Sequence, residues 1–183
     1  GTSVYDAVSL VLNEKFANLP GRKAIVMLGD GVDTTSKIKD LRVILGDVDE
    51  TDTLIYPIQY DTFDDVQKNR RNDAEIRYDD NDKPYVVESP RTKGERDEDY
   101  EEAREFLKEI ASRTGGRVQR VNSTTNLTAA FARIADELRK TYSLGYYPSS
   151  ERKPGGRYYI RIRVYRPDLV VRARETYLKP VRK

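Results

Sequence analysis

A run of five apolar residues, Ala24 to Leu28, ends directly in the tripeptide Gly29-Asp30-Gly31. A short run bounded by turn residues is typical of a β-strand that is buried on both faces of a sheet. Asp30 then lies at the carboxyl end of this strand, where open α/β sheets bind their ligands. The sequence therefore predicts a buried strand over 24–28, with Asp30 as the first candidate site residue.

Helical and strand-like segments alternate along the first 140 residues. Helices are predicted where apolar residues recur with a helical period: over 4–19, over about 37–46, from Glu98 to the pair Gly115-Gly116, and over 126–140. Further strands are predicted over 53–60, where Pro57 is a mild objection to a central position, and within 116–121. This alternation predicts an α/β fold, a partial doubly wound parallel sheet with helices on both faces.

Two local predictions concern helix ends and helix faces. Ser3, followed three residues later by Asp6, reads as a capping box for the first helix. The last helix is predicted to bury its apolar stripe: Leu127, Ala130, Phe131, Ile134 and Leu138. Residues 61–97 carry dense charge of both signs without apolar periodicity, which predicts a mobile loop or insertion within the first domain, residues 1–140.

Residues 141–183 form a separate, Tyr- and Arg-rich segment. Three strands are predicted in it, over 141–148, 157–165 and 169–177, as an antiparallel β meander packed on the first domain. In the middle strand one face is predicted to pack, with Tyr158, Ile160, Ile162 and Val164. The other face is predicted to be basic and solvated, with Tyr159, Arg161, Arg163 and Tyr165.

Composition restricts the chemistry of any site. The chain has neither cysteine nor histidine, so any metal must be held by oxygen ligands, which favours Mg²⁺, Ca²⁺ or Mn²⁺ over zinc, copper or haem. No apolar run is long enough for a membrane helix, and no signal peptide is visible. Charge is unevenly distributed, because residues 139–183 hold 13 basic and 3 acidic side chains while 1–138 hold 20 and 28.

Three roles for Asp30 are open from the residues. Asp30 could be a turn residue that accepts hydrogen bonds from backbone N–H groups. It could instead belong to a cation site with oxygen ligands, or to an enzyme site. The turn with Asp30 and Asp33 resembles the magnesium turn of haloacid-dehalogenase-type phosphatases, which also need a D-x-D-x-T motif after an earlier strand. The nearest such motif, DVDET at 47–51, follows the turn and precedes a strand, which puts it at the wrong end of the sheet.

A second resemblance covers more of the chain. GTSVYDAV at the start of a helix, followed by AIVMLGDGVDT, is similar to two parts of the metal-ion-dependent adhesion site of von Willebrand factor type A domains. FARIADELRKTYSLGYYPS and RPDLVVRARETYLKP resemble the bacterial branch called von Willebrand factor A-related. The resemblance implies a Rossmann-like fold and a non-enzymatic domain exported to the cell envelope or exterior. It also implies one Mg²⁺ or Mn²⁺ that bridges a carboxylate of a partner protein, with Thr2 and Asp30 as its ligands.

One part of that family's pattern, the D-x-S-x-S motif after the first strand, does not occur in the chain. We therefore expect an incomplete metal site, weak cation binding and an uncovered edge at strand 24–28. The expected partner is the N-terminal part of the chain's own polypeptide or a second copy. Ser3 is expected to cap its helix rather than bind metal. An alternative function is binding of an anionic polymer or nucleic acid by the basic tail, although nucleic acid is the less favoured ligand.

Overall fold

A computed structural model describes residues 1–37, 40–148 and 151–179. The helices are α1 (Val4–Leu10, continued by a π-helical turn Val11–Lys15), α2 (Leu41–Glu50), α3 (Phe63–Asn72), α4 (Asp97–Thr114) and α5 (Thr124–Arg139). The strands are β1 (Ala24–Gly29), β2 (Leu54–Tyr60), β3 (Glu75–Tyr78), β4 (Pro84–Val87), β5 (Gln119–Val121), β6 (Arg157–Tyr159) and β7 (Thr176–Leu178). The predicted α/β class with a parallel sheet is confirmed.

The central sheet has the order β1-β2-β5, and both of its strand pairs are parallel. On one face α1, α2 and α4 pack against Ile55 around the fully buried Phe106. On the other face α5 packs Ala130 and Ile134 against Tyr56 and Ile58 of β2. Helices on both faces of a parallel sheet are the arrangement that the alternating sequence predicted.

The prediction that strand 24–28 is buried on both faces is wrong. Val26 and Leu28 are 38% and 55% exposed, whereas Ile25 and Met27 pack against the α1 side of the core. β1 is an edge strand, and α5 covers β2 and β5 on the face that carries Val26 and Leu28. The described helices therefore cover only one face of this apolar run, and the face that carries Val26 and Leu28 stays exposed.

Pro57 lies in the middle strand of the sheet. Leu54 N–H donates to Lys23 O on the β1 side, while Ile55 N–H donates to Thr114 Oγ1 on the opposite side. Backbone groups alternate in direction along a strand, so the ring nitrogen of Pro57 faces away from β1. Pairing with β5 begins only at Ile58, and the missing N–H of Pro57 therefore costs the sheet no hydrogen bond.

Several predicted helix bounds and burials need correction. The first helix keeps its α-helical hydrogen bonds only to Leu10. The second runs over Leu41–Glu50 instead of 37–46, because the side chain of Asp40 caps it by accepting from Val43 N–H; residues 38 and 39 of the predicted helix lie outside the described residues. Phe131 of α5, predicted to be buried, is 46% exposed.

The predicted loop 61–97 contains regular structure. It forms α3 and an antiparallel hairpin of β3 with β4, followed by a turn region that leads into α4. None of the residues of α3 is buried, which explains why apolar periodicity gave no signal there. A salt bridge of 2.7 Å between Arg70 and Glu95 joins α3 to the end of this insertion.

The C-terminal tail forms a two-stranded ribbon, β6 with β7, in place of the predicted three-stranded meander. The face predicted to be basic and solvated is exposed, with Tyr159, Arg161, Arg163 and Tyr165. Three other arginines of the tail, Arg157, Arg172 and Arg174, reach Asp49, Glu137 and Thr51 O of the first 140 residues. Ile162 and Val164, predicted to pack, are 38% and 43% exposed. Ion pairs of Arg157 with Asp49 and of Arg172 with Glu137 join the tail to the first 140 residues.

Candidate functional site

Asp30 lies at the carboxyl edge of the parallel sheet, directly after β1. Its Oδ1 accepts a hydrogen bond of 3.0 Å from Val32 N–H, and its Oδ2 accepts one of 2.7 Å from Thr62 Oγ1. Gly31 has φ 84°, and a Cβ there would lie 2.7 Å from Leu107 Cγ, so this turn requires glycine. Asp30 thus has the turn role considered from the sequence, and it also has a partner from a second loop.

Thr62 and Tyr100 extend this contact into the core. Thr62 follows β2, and its hydroxyl lies 3.1 Å from Tyr100 Oη of α4. Tyr100 is buried and packs edge-to-face on Phe63 with ring centroids 5.1 Å apart. Burial raises the pKa of the Tyr100 phenol, which keeps it neutral and available as a hydrogen-bonding group. Asp30 is therefore held by Thr62 after β2, and Thr62 in turn contacts α4.

Thr2 joins the start of α1 to the loop that follows Asp30. Its N–H donates to Thr34 Oγ1 at 2.6 Å, and its carbonyl accepts from the N–H groups of Thr34 at 2.8 Å and Thr35 at 3.2 Å. The structure thus places Thr2 and Asp30 on the two ends of one short loop system. Among the described contacts, no hydrogen bond joins Thr2 to Asp30 directly.

Asp33, and not Ser3, caps α1. The buried carboxylate of Asp33 accepts from Tyr5 N–H at 3.2 Å, and Ser36 Oγ accepts from Asp6 N–H at 3.1 Å. Ser3 makes no side-chain cap bond and instead pairs with Thr35 Oγ1 at 2.8 Å, so the predicted capping box of Ser3 and Asp6 is wrong. The groups on the neighbouring loop reach the free N–H donors, which leaves the Ser3 hydroxyl for Thr35.

The insertion closes over one side of this edge. Lys93 Nζ lies 3.6 Å from Asp33 Oδ2, and a Cβ on Gly94 would lie 2.7 Å from Thr34 Cγ2. Sequence reasoning missed Lys93, Tyr100 and Thr62. One signal was available for Thr62, since it follows a strand next to β1 and the carboxyl ends of neighbouring parallel strands meet at the same edge.

The donor set at this edge fits only part of a cation site. Thr2 carries a hydroxyl and Asp30 a carboxylate, and both are oxygen groups of the type that Mg²⁺ and Mn²⁺ prefer as ligands, but only one of them is charged. Within 1–37, 40–148 and 151–179, no group of three or more acidic, histidine or cysteine side chains is placed to hold a metal ion. These residues do not form a complete site by themselves.

The acidic motif considered for a phosphatase lies far from Asp30 in the sheet. Residues 47–51 end α2 and lead into the amino end of β2, opposite the edge that carries Asp30. Asp47 accepts hydrogen bonds from Ser9 and Asn13. Asp49 pairs with Arg113 and Arg157. The geometry thus agrees with the expectation that this motif is at the wrong end of the sheet.

A comparison with protein-family models finds no match, and a comparison with curated proteins finds no significant one. Among solved structures, an aerotolerance-related membrane protein from Bacteroides fragilis NCTC 9343, with multiple mutations to serines, is similar at a TM-score of 0.40 and 14% sequence identity. The match covers 77% of this chain and 61% of that one, so this chain spans less than two thirds of its neighbour. The α/β class rests on the sheet and helices described above.

In the part of the chain that the structure describes, no helix combines the length and the apolar character needed to cross a membrane.

Proposed function

We propose that this chain is a non-enzymatic protein-binding domain of the von Willebrand factor A-related type, which contacts its partner at the carboxyl edge of the parallel sheet. One observation carries the proposal: three loops meet at this edge, because the Thr62 hydroxyl is bonded to the Asp30 carboxylate and the backbone of Thr2 is bonded to Thr34, four residues after Asp30. Such an edge is where open α/β sheets bind ligands. The envelope location and the identity of the partner stay predictions from the resemblance.

A divalent cation is the proposed bridge in this contact. Mg²⁺ or Mn²⁺ would supply a positive charge that attracts a carboxylate of the partner. Thr2 would offer its hydroxyl and Asp30 its carboxylate, directly or through water. Thr62 holds the Asp30 carboxylate in place, and Asp33 holds the start of α1, which follows Thr2 in the chain. Because two ligands do not repay the dehydration of Mg²⁺, we expect weak binding by this chain alone.

Titration of the purified chain with Mn²⁺ by calorimetry tests the cation proposal. Asp30→Asn keeps an oxygen for Val32 N–H and removes the charge, while Asp136→Asn removes an exposed carboxylate of α5 as a matched control. We expect weak binding to the wild type and to Asp136→Asn, and none to Asp30→Asn. Micromolar affinity would contradict an incomplete site, and an unchanged signal in Asp30→Asn would contradict the role of Asp30.

The basic tail is the second candidate for a binding surface, with an anionic polymer as its ligand. Arg161 and Arg163 are exposed, but Arg157, Arg172 and Arg174 are engaged with the body of the protein. This leaves fewer free charges for a ligand than the sequence suggested. Binding of heparin or single-stranded DNA that falls steeply with salt and ignores EDTA would favour the tail over the cation site.

The phosphatase alternative has its own test. Hydrolysis of a generic phosphate ester in the presence of Mg²⁺, abolished by Asp30→Ala, would support it. We expect no such hydrolysis, because the acidic residues 47–51 lie at the opposite edge of the sheet from Asp30.

A further inference from the structure

A groove of about 520 Å³ lies between α2, the end of α4 and β6. One face of α2 forms its floor, and Arg113 of α4 and Arg157 of β6 line its side. The floor residues are Leu41, Arg42, Leu45, Gly46 and Asp49. Their spacing of three and four residues makes them neighbours on the helix surface. The volume is in the range of small-molecule sites, and the groove is separate from the edge that carries Asp30.

Gly46 is an exposed glycine inside α2 that the backbone does not require. Its φ is not positive, and a Cβ built on it meets no atom within 4 Å. Glycine inside a helix costs about 1 kcal/mol relative to alanine. What glycine does at this position is leave the floor of the groove without a side chain, next to the apolar Leu45. Room for a bound molecule is therefore the physical effect of this residue.

The charges along the groove are compensated at one end only. The buried carboxylate of Asp49 pairs with Arg113 at 2.8 Å and with Arg157, and Arg113 also pairs with Glu109 at 2.8 Å. These two acidic and two basic side chains cancel. Arg42 is exposed, and among the contacts within 1–37, 40–148 and 151–179 it takes part in no hydrogen bond or ion pair. Its guanidinium therefore offers N–H donors and one uncompensated positive charge.

We propose that this groove binds a small organic acid with a single negative charge. Its carboxylate pairs with Arg42, because a guanidinium binds a carboxylate through two parallel hydrogen bonds. Its apolar body lies over Leu45 and Gly46, beside Leu41, which also packs against the core. A second carboxylate on the ligand would gain little at the Asp49 end, where the charges already cancel. The ligand is therefore a monoanion with an apolar chain or ring.

Titration with hexanoate in EDTA, followed by NMR shifts of the backbone amides, tests this site separately from the cation proposal. Hexanol has a similar apolar chain without the charge, and acetate has the charge without the chain. We expect saturable shifts along α2 with hexanoate, and binding of the other two probes that is weaker by about tenfold or more. No saturable binding of hexanoate, or equal binding of hexanol, overturns the proposal.

Two variants place the ligand within the groove. Arg42→Gln should weaken hexanoate binding about tenfold or more, whereas the control Arg139→Gln, which removes an exposed arginine of α5, should leave it unchanged. Gly46→Leu fills the floor and should abolish binding. Leucine favours the helix more than glycine does, so this variant should unfold at a higher temperature than the wild type. Wild-type affinity in Arg42→Gln or in Gly46→Leu contradicts the proposed site.

Discussion

The hydroxyl of Thr62 donates a hydrogen bond of 2.7 Å to Oδ2 of Asp30, which ties the carboxyl ends of β1 and β2 together. Because the acceptor is a carboxylate, this bond is of the stronger, charge-assisted kind. It also orients the one acidic side chain that we propose as a cation ligand.

Replacing Thr62 by valine tests the structural part of this contact. Thr62→Val keeps the shape and removes the hydroxyl, so we expect a loss of about 1–2 kcal/mol in the free energy of unfolding, measured with urea. Thr128→Val is the control, because its hydroxyl donates to Thr124 O at an exposed position of α5. An equal loss of unfolding free energy in both variants would show that the contact of Thr62 with Asp30 contributes no more to stability than an exposed hydroxyl does.

The capping of α1 by Asp33 predicts an asymmetry between two neighbouring polar residues. Asp33→Ala leaves the buried N–H of Tyr5 without its acceptor and should cost about 2–3 kcal/mol. Ser3→Ala should cost less than about 0.5 kcal/mol, because Ser3 makes no cap bond. Thermal or urea unfolding of both variants checks this order. The reverse order would restore the capping box predicted from the sequence.

Tyr5 predicts a loss of stability in alkali. Burial, and then the hydrogen bond of 2.8 Å to Glu102, raise the pKa of the Tyr5 phenol above its ordinary value of 10.0. Below pH 10 both the folded and the unfolded chain keep the proton, so the contribution is fully present. Above pH 10 the unfolded chain loses the proton first, and stability falls as the pH rises.

Urea unfolding at several pH values measures this dependence. Tyr5→Phe should make the fall above pH 10 less steep, whereas Tyr159→Phe, at an exposed position, should leave the slope unchanged. Tyr56 and Tyr100, whose phenol pKa values are also raised by burial, should preserve part of the slope in Tyr5→Phe. Identical slopes for the wild type and Tyr5→Phe would contradict the assignment.

Asp49 predicts how the tail is held. Its side chain is 7% exposed and pairs with Arg113 at 2.8 Å and with Arg157 of β6. Removing one partner of a buried pair leaves the others uncompensated. Asp49→Asn should therefore speed tryptic cleavage within 157–174 several-fold, while Asp136→Asn, an exposed pair with Arg139, should not. Mass spectrometry of the fragments locates the cuts, and unchanged cleavage would argue against this contact.

The sequence identified the helices and the strand-turn unit around Asp30 because these depend on local periodicity and turn chemistry. It failed for α3 and the hairpin of β3 and β4, which are exposed and leave no apolar period to read. It also failed for most of the predicted strand over 169–177, because pairing with β6 begins only at Thr176. Strand pairing of that kind depends on distant partners, which no local pattern specifies.

The chain's sequence by itself determined the alternation of helices and strands, the restriction of any metal ligands to oxygen atoms, and the position of Asp30 at a strand end. The tertiary structure alone decided that Thr62 holds Asp30, that Asp33 rather than Ser3 caps α1, and that Arg157 of the tail pairs with Asp49. The physical reason is the range of the interactions. Helical period and turn geometry act within a few residues, whereas hydrogen bonds and ion pairs between loops exist only once the strand order has brought those loops together.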